Sequence, residues 1–167
     1  MNSEFSEVPR LQAALEELSR VIDAELADSA VYFQRGVTHG QLSDPESAVR
    51  DFTEAIRLDG SNADAYYNRG VAYAHLQQPI MAVDDFTTTI NMTPGHLDAY
   101  NNRAAAYFDL NQLDRAIGDA EEAIRLNDQF PTAYLIRGAA RALLGQEELA
   151  KQDRDKARAL GFTDVWT

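Results

Sequence analysis

Residues 63–96 read ADAYYNRGVAYAHLQQPIMAVDDFTTTINMTPGH, and this stretch decides the fold. Ala65, Tyr66, Arg69, Gly70 and Tyr73 fall at helical spacing, and Ile80, Val83, Phe86 and Ile90 form a second stripe of the same period. Asn62 is placed to cap the first helix. Pro79 stands where a second helix begins, a position at which its missing N–H is no loss. Pro94-Gly95 then ends the pair. The stretch is helix, turn, helix.

The pattern returns along the chain at one fixed shift, 70 − 36 = 34. Gly36, Gly70, Ala104 and Gly138 form one column, and Tyr32, Tyr66, Tyr100 and Tyr134 a second. Arg35, Arg69, Arg103 and Arg137, then Ala48, Ala82, Ala116 and Ala150, then Asp51, Asp85, Asp119 and Asp153 complete five columns in one register. Pro45 repeats Pro79, and Asn111 is expected to cap the second helix of the third copy. A mid-helix Gly costs ~1 kcal/mol of propensity. Because Ala104 replaces it once, the column demands small size, facing the small Ala of the second helix.

The unit Tyr66-x-x-Arg69-Gly70-x-x-Tyr73, Ala82-x-x-x-Phe86, Pro94 resembles the tetratricopeptide repeat (TPR), a helix–turn–helix module with that same period. The resemblance spans residues 29–164, which is 4 × 34 = 136 of 167. It implies an all-α fold, a right-handed α-solenoid of four repeats at 29–62, 63–96, 97–130 and 131–164. Subtracting 34 from Ala48, Phe52 and Ile56 gives Ala14, Leu18 and Ile22, within a stripe of Leu11, Leu15, Leu18, Ile22 and Leu26. Residues 1–28 therefore read as a tail and a capping half-repeat, with its helix over 9–26 and Pro9 near the first turn. Lys151, Arg154 and Arg158 make the last helix polar, as a terminal cap requires, before a C-terminal tail at 165–167. Nine helices are expected.

Composition narrows the function. Lys and Arg number 15 against 27 Asp and Glu, a net −12, so an acidic protein with neither a nucleic-acid groove nor an anionic-membrane surface is expected. No apolar run approaches the ~20 residues of a membrane span. Residues 1–10 lack the basic start and apolar core of a signal peptide, which leads to the expectation of a cytoplasmic protein. Zero cysteine removes disulfides, thiol catalysis and cysteine-ligated zinc. Adjacent pairs such as Asp84-Asp85 and Glu121-Glu122 diverge by about 100° on a helix, so no acid–base pair converges. His39, His75 and His96 share no metal spacing, and no Gly-rich phosphate loop is present. No catalytic residue, metal or cofactor is expected. His39 shares its column with Tyr73 and Tyr107 and reads as a packing residue.

The Arg and Asp columns are offset by 51 − 35 = 16, which sets them level with one another in an antiparallel helix pair. They read as a structural network in preference to an anion-binding ladder, because each Asp neutralises an Arg that an anion would need.

In the family resembled, the first helices line a concave groove that holds a peptide. The resemblance places Phe33, Gln34, Val37 and Gln41 in that groove, then Asp64, Tyr67, Asn68, Val71 and His75. Asp98, Asn101, Asn102, Ala105, Phe108 and Asp109 follow, then Leu135, Ile136, Ala139 and Leu143. Apolar pockets with interspersed amides suit an extended peptide, the amides bonding its backbone. The family's carboxylate clamp needs Lys, Asn, Asn, Lys and Arg at five groove positions. Those positions hold Phe33, Val37, Asn68, Asp98 and Asn102, or one copy later Tyr67, Val71, Asn102, Thr132 and Ile136. The clamp is absent. The reading is an adaptor that binds a neutral or basic segment of a protein partner. The alternatives are a self-assembling homo-oligomeric scaffold, with an N-terminal helix or the apolar tail Phe162, Val165 and Trp166 in a second copy's groove, and a passive subunit of a larger complex using its convex face.

Overall fold

A computed structural model describes residues 4–25 and 27–162, with side chains from residue 7 onward. Leu26, Val165 and Trp166 of the expected stripe and tail lie outside the described residues. Among those described there are nine helices and no strand. They are α1 (Glu4–Asp23), α2 (Ser29–Gln41), α3 (Pro45–Leu58), α4 (Ala63–His75), α5 (Pro79–Met92), α6 (Leu97–Asp109), α7 (Leu113–Leu126), α8 (Pro131–Leu143) and α9 (Glu147–Ala159).

Local chemistry sets these boundaries. The Asp28 carboxylate accepts from the amides of Ala30 (3.0 Å) and Val31 (3.1 Å), and Asp44 accepts from Ser47 N–H at 3.1 Å. Asn62 caps α4 through Ala65 N–H at 3.1 Å, as its position predicts. His96 caps α6 through its ring Nδ1, which accepts from Ala99 N–H. Pro45, Pro79 and Pro131 open α3, α5 and α8, where a free N–H has no partner to lose. Ser43, Gln77, Asn111 and Gly145 all take positive φ, at 59°, 57°, 56° and 74°. They keep the period of the other columns, so the turn inside each copy demands one left-handed residue.

Three expectations are corrected. Asn111 does not cap α7; it is that left-handed turn residue, and Gln112 occupies the cap without a side-chain bond. The first helix begins at Glu4, not at residue 9, with Pro9 inside it. Pro9 lies in the second turn, so it removes one hydrogen bond near the start of a 20-residue helix that packs on α2. Nor does the Gly column simply face Ala. A Cβ on Gly36 would stand 2.8 Å from Phe52 Cε1, and one on Gly138 would stand 3.0 Å from Asp153 Cβ and 3.2 Å from the Ala150 carbonyl oxygen. Volume is traded across the helix pair: Gly36 goes with Phe52, whereas the third copy has Ala104 and Ala120.

Packing groups the helices into two units, Met1–Gln78 and Pro79–Thr167, dividing between α4 and α5 inside the second repeat. In the first unit, α2 packs on α1 and α3, α3 on α4, and α2 also meets α4. Its core is Ala48, Phe52 and Ala72, with Phe33, Val37 and Val49 against it. The half-buried residues of α1 include Leu11, Ala14, Leu15, Leu18 and Ile22, the expected stripe. In the second unit, α5 to α9 pack in succession and α6 also meets α8. Its buried residues are mostly small, Ala99, Ala104, Ala116, Ala120, Ala133 and Ala150 among them, with Phe86, Ile90 and Tyr134 the larger ones. Small residues let the helix backbones approach closely, which brings successive first helices within reach of one another.

Candidate functional site

The Arg and Asp columns form ion pairs within the helix pairs of the first, third and fourth copies. Arg35 grips Asp51 through two bonds, Nε to Oδ2 at 2.8 Å and Nη2 to Oδ1 at 2.7 Å. Arg103 holds Asp119 by the same fork at 2.7 and 2.8 Å, and Arg137 reaches Asp153 at 2.6 Å. Asp51, Asp119 and Asp153 are buried. Burial works against the Arg103 charge, but the Asp119 bonds outweigh it and the guanidinium stays above its ordinary pKa. Arg35 is likewise raised, chiefly by its hydrogen bond to Asp51. Each guanidinium also lies over the Tyr that precedes it by one helical turn, at 5.4–5.8 Å: Tyr32, Tyr66, Tyr100 and Tyr134.

A sixth column completes this network. Arg35, Arg69 and Arg103 donate backward as well, to the hydroxyls of Ser19 (3.3 Å), Thr53 (3.1 Å) and Thr87 (3.0 Å). In the fourth copy Glu121 stands there, 3.7 Å from Arg137 and 3.0 Å from Arg141. Ser19, Thr53, Thr87 and Glu121 keep the common period, yet three residue types share the column. Because no one residue identity runs through all the copies there, the column is not legible in the sequence. His39 joins the network too, with Nδ1 at 3.4 Å from Asp44 and Nε2 at 3.7 Å from Asp51. Among the described residues, no group of three or more His, Asp or Glu is arranged to hold a metal ion. No described helix is long and apolar enough to cross a membrane.

Each unit contains a cleft between successive first helices. In the first unit a cleft of about 590 Å³ is lined by Val37, Gly40 and Gln41 of α2 and by Asn68, Val71, Ala72 and His75 of α4, with Ser43, Pro45, Ala48 and Phe52 beneath. In the second unit a cleft of about 250 Å³ lies between Ala105, Phe108 and Asp109 of α6 and Leu135, Ile136 and Ala139 of α8. Val37, Asn68, Val71, Ala105, Phe108 and Leu135 of the expected groove thus line clefts.

Phe33, Gln34, Tyr67, Asn101 and Asn102 line neither. Phe33 packs on Phe52 with ring centroids 5.8 Å apart, so its surface is shared with the core. The amides are engaged within the chain: Asn68 Nδ2 donates to the Asp64 carbonyl at 2.8 Å. Asn101 donates to Asn102 Oδ1 at 3.3 Å and accepts from the Thr132 hydroxyl at 3.1 Å. Ser43, Pro45 and Phe52 enter the first cleft from the turn and the second helix, a depth that first-helix spacing alone does not reveal.

Residues 97–130 match the family model described as tetratricopeptide repeat, and residues 44–77 match that described as TPR repeat. No curated protein sequence matches the chain. Among solved structures, it resembles MamA with a TM-score of 0.87 at 23% identity, covering 94% of this chain and 92% of that one. YrrB, described as a TPR protein with an unusual peptide-binding site, gives 0.84 at 20% identity over 93% and 80%. The first TPR of Spaghetti, solved bound to an HSP90 peptide, gives 0.69 at 23% identity over 71% and 94%. At such identities the likeness is one of fold, an all-α solenoid.

Proposed function

This chain is a tetratricopeptide-repeat protein, and from that premise we propose that it is a protein-interaction module holding an extended, neutral or basic peptide segment of a partner along its first helices. The observation that carries the reading is the pair of clefts, both between successive first helices and both lined in part by positions that the family resemblance places in a groove. The first joins an apolar wall to a few polar groups and the second joins one to Asp109, the composition of a site that orients a ligand without chemistry. No catalytic step is part of the proposal.

Side-chain chemistry argues against a carboxylate-terminated ligand. The five clamp positions carry no cation in either register, and Asp98 stands at one of them. A free carboxylate loses hydration there and meets no fork of N–H donors. This chain therefore lacks the residues with which clamp-type relatives grip a C-terminus.

The test is capture of a partner from the source cell by the wild-type chain and by an Asn68→Ala/Asn102→Ala variant. A partner whose capture is lost in the variant, while folding is retained, supports the groove. Equal capture by both chains would falsify it and move the interaction to another face.

A further inference from the structure

The two clefts share five repeat positions. Adding 2 × 34 = 68 to Val37, Gly40, Gln41, Asn68 and Val71 gives Ala105, Phe108, Asp109, Ile136 and Ala139, all of which line the second cleft. The fold thus presents these positions twice, with different chemistry. Gly40 becomes Phe108, whose ring takes up space and accompanies the fall from about 590 to about 250 Å³. Asn68 becomes Ile136, which removes the amide from the wall. Gln41 becomes Asp109, which puts a carboxylate where the first cleft has a neutral group. His75 corresponds to Leu143, which is 63% exposed and continues the line of Leu135 and Ala139 along α8.

We propose that the cleft between α6 and α8 is a specificity pocket for one aliphatic or aromatic side chain of the bound segment, with an Arg or Lys of that segment paired to Asp109. The proposal rests on the groove reading above and names what the second unit selects. Three observations commit it to this occupant. A cavity of about 150 Å³ lined by apolar side chains holds a benzene ring, so about 250 Å³ holds one Leu, Met or Phe side chain. The wall is carbon from five of six residues, leaving a polar side chain without partners. Asp109 is exposed and, among the described residues, is paired with no cation, so its charge is open to the ligand. In an extended peptide, alternate residues share a face. The cation therefore belongs two positions from the apolar anchor.

The probes are terminally blocked peptides with the sequence Gly-Ser-Arg-Ser-Leu-Ser-Arg-Ser-Gly, in which either chain direction offers an Arg beside the Leu. One comparison peptide has both Arg replaced by Gln, and another has Leu replaced by Ser. Binding is followed by fluorescence anisotropy with the full chain and with Asp109→Gln and Ile136→Asn variants. Both substitutions import the residue that the first cleft already carries at that repeat position, so the fold accommodates them.

With the wild-type chain, Arg to Gln should weaken binding about two- to five-fold, the range of an exposed ion pair. Leu to Ser should weaken it about ten-fold or more. Asp109→Gln should abolish the preference for Arg and keep that for Leu, whereas Ile136→Asn should reduce the preference for Leu. An Arg preference unchanged in Asp109→Gln, a Leu preference unchanged in Ile136→Asn, or no binding of the Arg-Leu peptide to the wild-type chain overturns the pocket. If any of these occurs while partner capture still depends on Asn68 and Asn102, the pocket assignment alone falls. If that dependence is missing as well, the groove reading falls with it.

Discussion

A guanidinium that bonds forward and backward at once joins three successive helices. Arg103 of α6 holds Asp119 of α7 through its fork and Thr87 of α5 through the remaining nitrogen. Arg35 does the same for α1, α2 and α3. Truncating Arg103 leaves Asp119, 8% exposed, as a buried carboxylate without its partner. Arg103→Ala should lower stability by about 1–3 kcal/mol in chemical unfolding. Arg57, exposed and paired with Glu54 one turn away, should tolerate the same change without measurable loss. Only half of this network is legible in the sequence. Arg and Asp recur unchanged and announce themselves, while the backward partner changes from hydroxyl to carboxylate and does not. The Gly column does report a demand for small size, but spacing does not tell whether Ala48 or Phe52 meets Gly36. Gly36→Ala gains ~1 kcal/mol of helix propensity, against a Cβ 2.8 Å from Cε1 of the Phe52 ring, which is 2% exposed. Overpacking of this kind costs about 1–3 kcal/mol. The clash outweighs the propensity gain, and a melting temperature at or above the parent's would show that the ring yields.

Helix boundaries are the most legible layer, because proline and cap residues are local signals. Pro45 and Pro79 open α3 and α5, and Asn62 caps α4, all as their positions indicate. Asn111 misleads because asparagine suits both an N-cap and a left-handed turn, and only the backbone distinguishes them. Gln77 and Ser43 occupy that turn without the sequence signature of one. The α3 cap carries a pH dependence. Asp44 is held below its ordinary pKa, first by its side-chain bond to Ser47 and then by the Ser47 amide. A carboxylate depressed in the folded state stabilises above its unfolded pKa and loses that contribution as pH falls through the folded value. Asp44→Ala should therefore cost about 1 kcal/mol at neutral pH. The gap between variant and parent should narrow below about pH 4. Melting curves at neutral pH and in acid decide this; a gap independent of pH means that the carboxylate charge is irrelevant to the cap.

The whole molecule tests whether its ends and its charge act as the repeats suggest. Removing residues 1–26 takes away α1, which covers α2 and supplies Ser19 to Arg35. An apolar face opened in this way promotes association, so light scattering should report aggregation, and a stable truncated monomer would refute α1 as a cap. The division between α4 and α5 has no counterpart in the sequence, whose period runs through it unbroken. Clefts are foreseeable in position and not in depth, since the floor of the first comes from Phe52 and Pro45 outside the first helices. The chemistry of the clefts fixes how binding responds to solution conditions. Apolar burial at Val37, Val71, Leu135 and Ile136 is insensitive to ionic strength, whereas an exposed pair at Asp109 is screened within ~10 Å at 0.1 M salt. Affinity for a basic-apolar segment should therefore fall by no more than about five-fold between low and high salt, the whole worth of one surface ion pair. It should also survive amidation of the ligand's C-terminus, because no cation stands at the clamp positions to recognise a carboxylate. Titrations of free and amidated peptide at two salt concentrations measure both. A steep salt slope or dependence on the free carboxylate would place the ligand on a charged surface, and of the two clefts only the second offers a charge, a negative one.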